Sequence, residues 1–449
     1  MYAILDEAAR LARQYLQTLE KRNVAPHPAA IDALRELDEP LRHAGASASE
    51  TLAMLARLVS PATMAMAGPR FFGFVIGGAL PAALAANWLA SAWDQNAALY
   101  EVTPAVSRVE EVALRWLIEL FELPPATGGG FVTGATVANF TALAAARHAV
   151  LANAGWNVEA DGLFGAPRIT VITGEEAHPT LLKSLGMLGL GRSRILRVAV
   201  DGQGRMRADA LPEIKGPTIL CLQAGNLNTG AFDPFVPLIA AAHAAGAWVH
   251  VDGAFGLWAK AAPSLHHLAA GLEQADSWAT DAHKWLNVPY DSGLAFCRDA
   301  HALQASMAIT AEYLPTQSTR RNPSDFTPEL SRRARGVEIW AALRSLGRDG
   351  LAELFERNCR QARRFAQGLR EAGYGVLNDV ALNQVLVTFG DAERTRTVIA
   401  ALQREGTCWC GATVWQGHTA MRISVCSWAT TDADVERSLA AMLRVARTA

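Results

Sequence analysis

The middle of the chain alternates short apolar runs with helical patterns, and this alternation constrains the fold more than any other feature. The apolar runs predict strands at residues 168–173, 194–200, 218–223, 248–252, 277–280 and 293–298. Helical patterns lie between several of them, for example at 179–188 and 235–245. This order predicts an α/β fold, an open and mostly parallel sheet with flanking helices. Ligands of such sheets bind beyond the carboxyl ends of the strands.

The remainder of the chain predicts helices at the start and a smaller domain at the end. Residues 3–19 and 81–123 have helical apolar spacing, and Ser107 followed by Glu110 is the signature of a capping box. Long helical patterns at 332–346 and 351–372 precede mixed strand-like and helical segments from 374 onward.

Four parts are therefore predicted. They are an N-terminal helical segment (1–70), a large domain (71–310), a mobile loop (311–331), and a helical connection with a small C-terminal α/β domain (332–449). A polar loop as long as 311–331 is usually functional or mobile.

Charge and composition argue against several classes of partner. The formal charge is −2 without a long charge run, so neither nucleic acid nor a membrane surface is expected as a partner. The apolar stretch 73–92 contains Gly, Pro, Asn and Trp, which favours a buried helix or loop over a membrane span. Residues 1–13 carry acids and show no secretion signal.

The cysteines indicate a reducing compartment. Six cysteines are scattered without metal-ligand spacing, and Cys408 and Cys410 are too close for an ordinary bridge. We therefore expect a cytoplasmic protein with reduced, mostly buried thiols and no metal.

Lys284 is the first candidate for chemistry, in the segment Thr280-Asp281-Ala282-His283-Lys284-Trp285 after a predicted strand. Burial lowers the pKa of a lysine amine, which favours Schiff-base formation. The chain has five lysines, whereas the other 36 basic residues are arginines, so a lysine in an apolar setting is informative. The alternative is a surface lysine after a strand.

Asp252 ends the apolar strand 248–252 and lies 32 residues before Lys284. An aspartate at this place can pair with a pyridinium N–H and so maintain the ring as an electron sink. The alternative is that Asp252 caps the next helix.

Three further clusters follow strands or begin helices. Gly128 to Asn139 predicts a glycine-rich turn leading into a helix at 137–150, whose free N–H groups suit a phosphate. His178 follows a strand and could stack on a flat ring, and the amides of 223–234 could bind a cofactor. The alternatives are a loop capped by Thr136, a helix-start or partly buried histidine, and a turn. In an open sheet these strand ends share one edge, so the five clusters are expected to converge.

In this order and spacing the motifs resemble the group II pyridoxal-phosphate-dependent amino-acid decarboxylases, which include aromatic amino-acid, glutamate and diaminobutyrate decarboxylases. The resemblance is clear from about residue 69 to 298. It implies a fold type I enzyme with pyridoxal 5′-phosphate as cofactor, which converts an L-amino acid to its amine and CO₂.

The resemblance also implies roles around the cofactor ring. Lys284 would form the internal aldimine, and Asp252 would pair with the pyridine nitrogen. Ala254 would pack beneath the ring and His178 would stack on its other face. Lys284, His178 and Asp252 are the expected catalytic residues.

Further implied contacts lie at the phosphate. Ala135 and Thr136 would bind it through the helix start, with help from His283 and Asp281. Asn226 stands near the place of a family threonine and is expected to contact the cofactor.

Several residues are candidates for the substrate side. Gly77 falls where the aromatic amino-acid enzymes carry threonine, and Phe74 lies in the same segment. Phe72, Phe74 and Trp93 could face an apolar or aromatic substrate, but core positions are the preferred interpretation. Arg422 could bind a substrate carboxylate, although a surface or strand-edge arginine is favoured.

One departure from the family concerns the mobile loop. In many members a loop tyrosine returns a proton to Cα, but residues 317–333 contain no tyrosine, with Tyr313 just upstream and Phe326 inside. In related plant enzymes a Tyr-to-Phe change there accompanies aldehyde formation. Decarboxylation is preferred. The alternatives are aldehyde synthesis, transamination, another lyase reaction, or a non-catalytic protein.

Family members are homodimers with the active site at the subunit interface. We therefore expect a homodimer here, with loop 311–331 reaching across to the partner.

Overall fold

The computed structural model describes residues 2–309 and 320–448. Contacts divide the chain into two compact units. The first contains Met1–Gly78, Gln361–Leu377 and Val385–Ala449, and the second contains Ala79–Arg360 and Asn378–Gln384. Residues 311–319 of the predicted mobile loop, including Tyr313, lie outside the described residues. The division into four parts stays a prediction.

Fourteen α-helices occur in the described parts of the chain, besides short 3-10 and π-helical turns. They are α1 (Tyr2–Thr18), α2 (Pro28–Ala33), α3 (Ala48–Met54), α4 (Ser60–Ala62), α5 (Pro81–Trp93), α6 (Pro104–Leu120), α7 (Ala135–Ala152), α8 (Val158–Asp161), α9 (Pro179–Met187), α10 (Phe235–Ala244), α11 (Ala300–Met307), α12 (Gly336–Glu371), α13 (Ala392–Glu405) and α14 (Asp432–Thr448).

Eleven strands accompany them in the same parts. They are β1 (Gly128–Val132), β2 (Thr170–Gly174), β3 (Leu196–Val198), β4 (Thr218–Gln223), β5 (Trp248–Asp252), β6 (Ser277–Asp281), β7 (Gly293–Cys297), β8 (Gly375–Val376), β9 (Gln384–Thr388), β10 (Gly411–Trp415) and β11 (His418–Ser424).

The second unit contains a seven-stranded sheet in the order β1-β7-β6-β5-β4-β2-β3. Neighbouring strands from β3 to β6 run parallel, and β7 is antiparallel to both β6 and β1. Strands β5, β6 and β7 are buried at every position, as expected for a sheet covered by helices on its faces. The predicted α/β fold is confirmed, and all six predicted strands begin and end within two residues of the observed bounds.

The glycine-rich segment at 128–132 is a strand, so the predicted turn is wrong. It forms β1 and pairs with β7. A Cβ atom at Gly130 would lie 2.1 Å from the carbonyl oxygen of Phe326, and one at Gly129 would lie 2.6 Å from Leu114 Cδ1. The glycines therefore serve close approach by neighbouring elements.

The helical pattern at 81–123 is two helices, α5 and α6, separated where Asp94 adopts a left-handed conformation with φ 47°. The predicted capping box at Ser107 is wrong, because α6 begins at Pro104 and both Ser107 and Glu110 are buried inside the helix. Proline suits a first helical position, where its missing N–H costs no hydrogen bond. Glu110 instead accepts a hydrogen bond from Arg332 Nη1 at 2.8 Å.

The first unit contains a four-stranded sheet in the order β10-β11-β9-β8. Helix α13 packs against β11 and α14. This arrangement confirms the small C-terminal α/β fold. The predicted helices 332–346 and 351–372 appear as α12, interrupted at Gly347, where φ is 62° and ψ is −174°.

All six cysteines are free and buried, which confirms the expected state of the thiols. In the described stretches, we find no helix with the length and apolar character to cross a membrane.

Candidate active site

The parallel direction of β4, β5 and β6 places their carboxyl ends at one edge of the sheet. Asp252 ends β5 and Asp281 ends β6, while His178 lies four residues after β2, at the start of α9. His178, Cys221 and Asp252 line one small cavity. Of the predicted strand-end clusters, those containing His178 and Asp252 thus meet at this cavity.

Asp252 is buried, and both of its carboxylate oxygens accept hydrogen bonds. Oδ1 accepts from the backbone N–H of Ala254 at 3.2 Å, and Oδ2 accepts from Asn139 Nδ2 at 3.3 Å. Burial raises the pKa of Asp252, while His178 and Lys284 act in the opposite direction. The following 3-10 helix begins after Phe255 without a side-chain cap, so the capping alternative for Asp252 is wrong.

Lys284 contacts a buried carboxylate at this edge. Its Nζ lies 2.9 Å from Asp281 Oδ2, and about a fifth of the side chain is exposed (21%). Asp281 Oδ1 accepts from the backbone N–H of Ala135 at 2.5 Å. Burial alone does not single out Lys284, because Lys260 is only 2% exposed and is bound to Glu122 and Glu273. The role of Lys284 as the cofactor lysine stays a prediction.

His283 is held in one orientation beside Asp281. Its Nδ1 accepts from the backbone N–H of Ser292 at 3.0 Å, so the neutral ring carries its proton on Nε2, which lies 3.4 Å from Asp281 Oδ1. The ring stacks on Tyr290 with centroids 4.3 Å apart. Burial lowers the pKa of His283.

The start of α7 lies next to these residues. Its N-cap is Gly134, which has no side chain to bond the N–H groups of the first turn. The alternative in which Thr136 caps this helix is therefore wrong. A Cβ at Gly134 would lie 3.1 Å from His283 Cε1, and one at Gly293 would lie 2.5 Å from Gly134 Cα. The close approach leaves a helix start suited to an anion.

His178 lies at the start of a helix, as the alternative interpretation of this residue predicts. It is the N-cap of α9, and its Nδ1 accepts from the backbone N–H of Thr180 at 3.2 Å. Because the same residue lines the cavity with Asp252, this role is compatible with ring stacking, which stays a prediction.

Asn226 organises its own loop. Its Oδ1 accepts from the backbone N–H groups of Asn228 and Thr229, and its Nδ2 donates to Glu176 at 2.9 Å. These bonds use the side-chain amide in fixing the turn, and a contact between Asn226 and the cofactor stays a prediction.

The substrate candidates Gly77 and Phe74 belong to the first unit. Phe74 is 61% exposed, with its ring centroid 6.1 Å from that of Trp409. The preferred core positions are confirmed for Phe72 and wrong for Phe74 and Trp93, which are exposed. Gly77 is buried, and its substrate role stays a prediction.

Arg422 lies in β11, between β10 and β9, and is half-buried. It is therefore not on an edge strand. Burial lowers the pKa of its guanidinium group.

Asn139, which donates to Asp252, was missed in the sequence. The available signal was a lone amide within the apolar helix pattern at 135–152, four residues after the predicted phosphate contact at Ala135.

The residues at this sheet edge offer a partner for each reactive group of pyridoxal phosphate. The helix start beside His283, whose N-cap Gly134 has no side chain, suits a phosphate. The Lys284 amine suits an aldehyde, and the buried Asp252 carboxylate suits a protonated ring nitrogen. The residues at this sheet edge therefore fit pyridoxal phosphate.

Comparison with known proteins agrees with this fit. The family model described as the pyridoxal-dependent decarboxylase conserved domain matches residues 32–389. The chain therefore belongs to the pyridoxal-dependent decarboxylase family. It is a carboxy-lyase with pyridoxal 5′-phosphate as cofactor.

Three relatives illustrate the range of activities. Tryptophan decarboxylase 1 of Oryza sativa subsp. japonica is 27% identical, over 94% of this chain and 88% of its own. L-2,4-diaminobutyrate decarboxylase of Rhizobium meliloti (strain 1021) is 29% identical, over 91% and 84%. Phenylacetaldehyde synthase of Arabidopsis thaliana is 25% identical, over 80% and 77%.

Among solved structures, Oryza sativa TDC with PLP and tryptamine superposes with a TM-score of 0.91. The identity is 24%, and the match covers 100% of this chain and 97% of the other. The likeness extends over the whole fold.

Proposed function

We propose that this enzyme converts an L-amino acid to its amine and CO₂, with Lys284 as the covalent attachment point of the cofactor. The observation that carries the proposal is the 2.9 Å contact between Lys284 Nζ and Asp281 at the sheet edge where β5 ends in the buried Asp252. Family membership supplies the general reaction, whereas the assignment of residues is the proposal.

Each residue has a role set by its position. Asp252 would hold a proton at the ring nitrogen, and Ala254 and His178 would hold the ring from its two sides. Bound pyridoxal phosphate supplies an electron sink for the pair released as the carboxylate leaves Cα. Because Asp252 is buried away from water, its interaction with a protonated ring nitrogen is stronger than it would be at the surface.

The phosphate is assigned to the start of α7. Ala135 and Thr136 would border it at the first turn, where the helix dipole favours an anion; the Ala135 N–H donates to Asp281, so the direct hydrogen bond is assigned to the Thr136 N–H. Asp281 and His283 fix the geometry, since Asp281 accepts from the Ala135 N–H and His283 lies against it. Asn226 is proposed to support the cofactor from the loop after β4.

Borohydride trapping tests the attachment point. Reduction fixes the cofactor to its lysine, and peptide mapping should find it on Lys284 and on none of the other four lysines. Lys284→Ala should lose the visible absorption of the bound cofactor and all activity. Lys183→Ala, a change at a lysine in α9, is the matched control and should retain both. Cofactor trapped elsewhere would refute the assignment.

A second reaction is favoured by one observation. Residues 317–333 contain no tyrosine, and one relative is named phenylacetaldehyde synthase. Oxidative decarboxylation–deamination would consume O₂ and yield aldehyde, CO₂, ammonia and hydrogen peroxide. Product analysis in a sealed vessel separates the reactions: amine with CO₂ supports the proposal, whereas O₂ uptake with peroxide supports aldehyde synthesis. Keto-acid formation without CO₂ would indicate transamination.

We propose that Phe74 and Gly77 help to select the substrate. Screening the standard amino acids together with ornithine and diaminobutyrate identifies it, and Gly77→Thr should then alter KM more than kcat. Unchanged KM and kcat values in Gly77→Thr would refute a role of Gly77 in substrate selection.

We also propose a cytoplasmic homodimer, with loop 311–331 reaching the partner. Helix α5 exposes Trp88, Leu89 and Trp93, an apolar surface of the kind that marks interfaces. Buried free thiols support a reducing compartment. Sedimentation analysis of wild type and Trp93→Glu tests the dimer; a monomeric wild type would refute it.

A further inference from the structure

A line of polar side chains leads away from Asp252 on one face of β5. Successive residues of a strand point to opposite faces, so Trp248, His250 and Asp252 share a face while Val249 and Val251 occupy the other. Helix α7 packs against β5 and contributes Asn139. These side chains are buried in an otherwise apolar region, where unpaired polar atoms are costly.

Four hydrogen bonds connect the line without a gap. Trp248 Nε1 donates to Ser277 Oγ at 2.9 Å, and Ser277 Oγ lies 2.9 Å from His250 Nδ1. His250 Nε2 lies 2.8 Å from Asn139 Oδ1, and Asn139 Nδ2 donates to Asp252 Oδ2 at 3.3 Å. Ser277 is in β6, directly opposite His250 in the ladder.

The Asp252 end of the line fixes the direction of the bonds. Asn139 Nδ2 donates to Asp252, so Asn139 Oδ1 faces His250, and because an amide oxygen only accepts, His250 donates from Nε2–H. The neutral His250 ring therefore accepts at Nδ1 from the Ser277 hydroxyl group, whose oxygen accepts from the Trp248 indole N–H.

We propose that His250 and Asn139 are positioning residues for the cofactor's ring nitrogen. By fixing the orientation of the Asn139 amide, they keep a donor on Asp252 Oδ2 and leave the carboxylate ionised and directed at the ring. This inference rests on the proposed role of Asp252. Without the His250 N–H, the Asn139 amide is free to turn its oxygen toward Asp252, which repels the carboxylate.

The surroundings of Asp252 show why this donor matters. The titratable groups that face it are His178 at the start of α9, Asp281 at the end of β6, Lys284 three residues later, and Cys221 in β4. Burial raises the pKa of Asp252, and hydrogen bonds from Ala254 and Asn139 favour its ionised form. Burial lowers the pKa of His250 to about 3, so the ring is neutral and the direction of the line is kept.

A matched pair of variants tests the proposal in the holoenzyme. His250→Leu removes the donor to Asn139, whereas the amide of His250→Gln can place an N–H where Nε2 lies. We expect kcat to fall about 10- to 100-fold in His250→Leu with little change in KM, because a hydrogen bond to a charged group is lost. His250→Gln should recover most of that loss. Asn139→Ala should resemble His250→Leu.

A spectroscopic measurement separates positioning from simple damage. With ¹⁵N-labelled pyridoxal phosphate, the wild-type ring nitrogen should give the signal of the protonated form at neutral pH. In His250→Leu and Asn139→Ala its titration should move to lower pH, and in His250→Gln it should return toward the wild-type position. Ser277→Ala, which removes one hydroxyl group, provides a milder variant should His250→Leu fail to fold.

The outcomes distinguish this inference from the proposed function. If Asp252→Asn loses the protonated signal but His250→Leu, Asn139→Ala and Ser277→Ala keep it, the positioning role is refuted and the role of Asp252 stands. If Asp252→Asn also keeps the signal, both the positioning role and the proposed role of Asp252 are refuted. In the Asp252→Asn background, His250→Leu should lower kcat little further, because the carboxylate that His250 positions is already absent.

Discussion

Replacing Glu110 by glutamine should destabilise the protein strongly. Glu110 is 1% exposed in α6 and accepts from Arg332 Nη1 at 2.8 Å and from Arg321 Nη1 at 3.0 Å. Arg332 is completely buried and also donates to the carbonyl oxygens of Ala97 and Phe131. Glu110 therefore carries the negative charge that balances a buried guanidinium group.

The expected loss follows from the charge left behind. Arginine stays protonated in proteins, so Glu110→Gln leaves Arg332 buried without a counter-charge. Removing one partner of a buried ion pair typically costs about 3–5 kcal/mol. Part of the hydrogen bonding is retained by the glutamine oxygen, but its NH₂ group must then face one of the two arginines.

Urea unfolding of the holoenzyme at fixed cofactor concentration measures the effect, since bound cofactor contributes to stability. Glu119→Gln in the same helix is the control, because the Glu119–Arg348 pair is exposed and should change stability by less than about 1 kcal/mol. A loss in Glu110→Gln no greater than in the control would refute the reasoning. Joint replacement of Glu110 and Arg332 by Leu and Met should recover much of the loss.

Three further outcomes are expected. Gly130→Ala should destabilise by about 1–3 kcal/mol in urea unfolding, because the new Cβ meets the Phe326 carbonyl, whereas Gly202→Ala has open space and should be near neutral. The stability of wild type relative to His250→Gln should be full above about pH 6.5 and fall by about 1.4 kcal/mol per pH unit below it. Between about pH 6.5 and pH 3 the imidazole is protonated in the unfolded state, whereas the buried ring, with a pKa of about 3, stays neutral in the folded state. An aromatic disulfide reagent should react only slowly with the thiols of the native protein, and it should react with all six thiols after denaturation. Rapid reaction of the native thiols would contradict their burial.

The strands of the large sheet were predictable because their signals are local. Runs such as 218–223 and 248–252 are apolar over the whole strand and are bounded by polar or small residues, which matches a sheet covered on both faces. Their order along the chain then implied which strand ends share an edge, and so predicted that Asp252 and Lys284 lie at the same edge of the sheet.

Other features depended on neighbours distant in sequence. Glycines at 128–130 predict a turn by composition, yet they form a strand because they pair with β7, and Gly130 must lack a side chain because the Phe326 carbonyl approaches it. Ser107 and Glu110 have capping-box spacing, but Glu110 is used by Arg332, 222 residues away.

The opening clue of alternating strands and helices thus determined, by itself, the sheet and the edge at which a cofactor would bind. The contacts around the candidate residues were decided by tertiary structure: Lys284 lies against the buried Asp281, Lys260 is more buried but is bound to two glutamates, and Asn139 reaches Asp252 from a helix more than a hundred residues earlier. The physical reason is that periodicity records the burial of each residue's own face, whereas a hydrogen bond or a counter-charge depends on which other element the fold brings within about 3 Å.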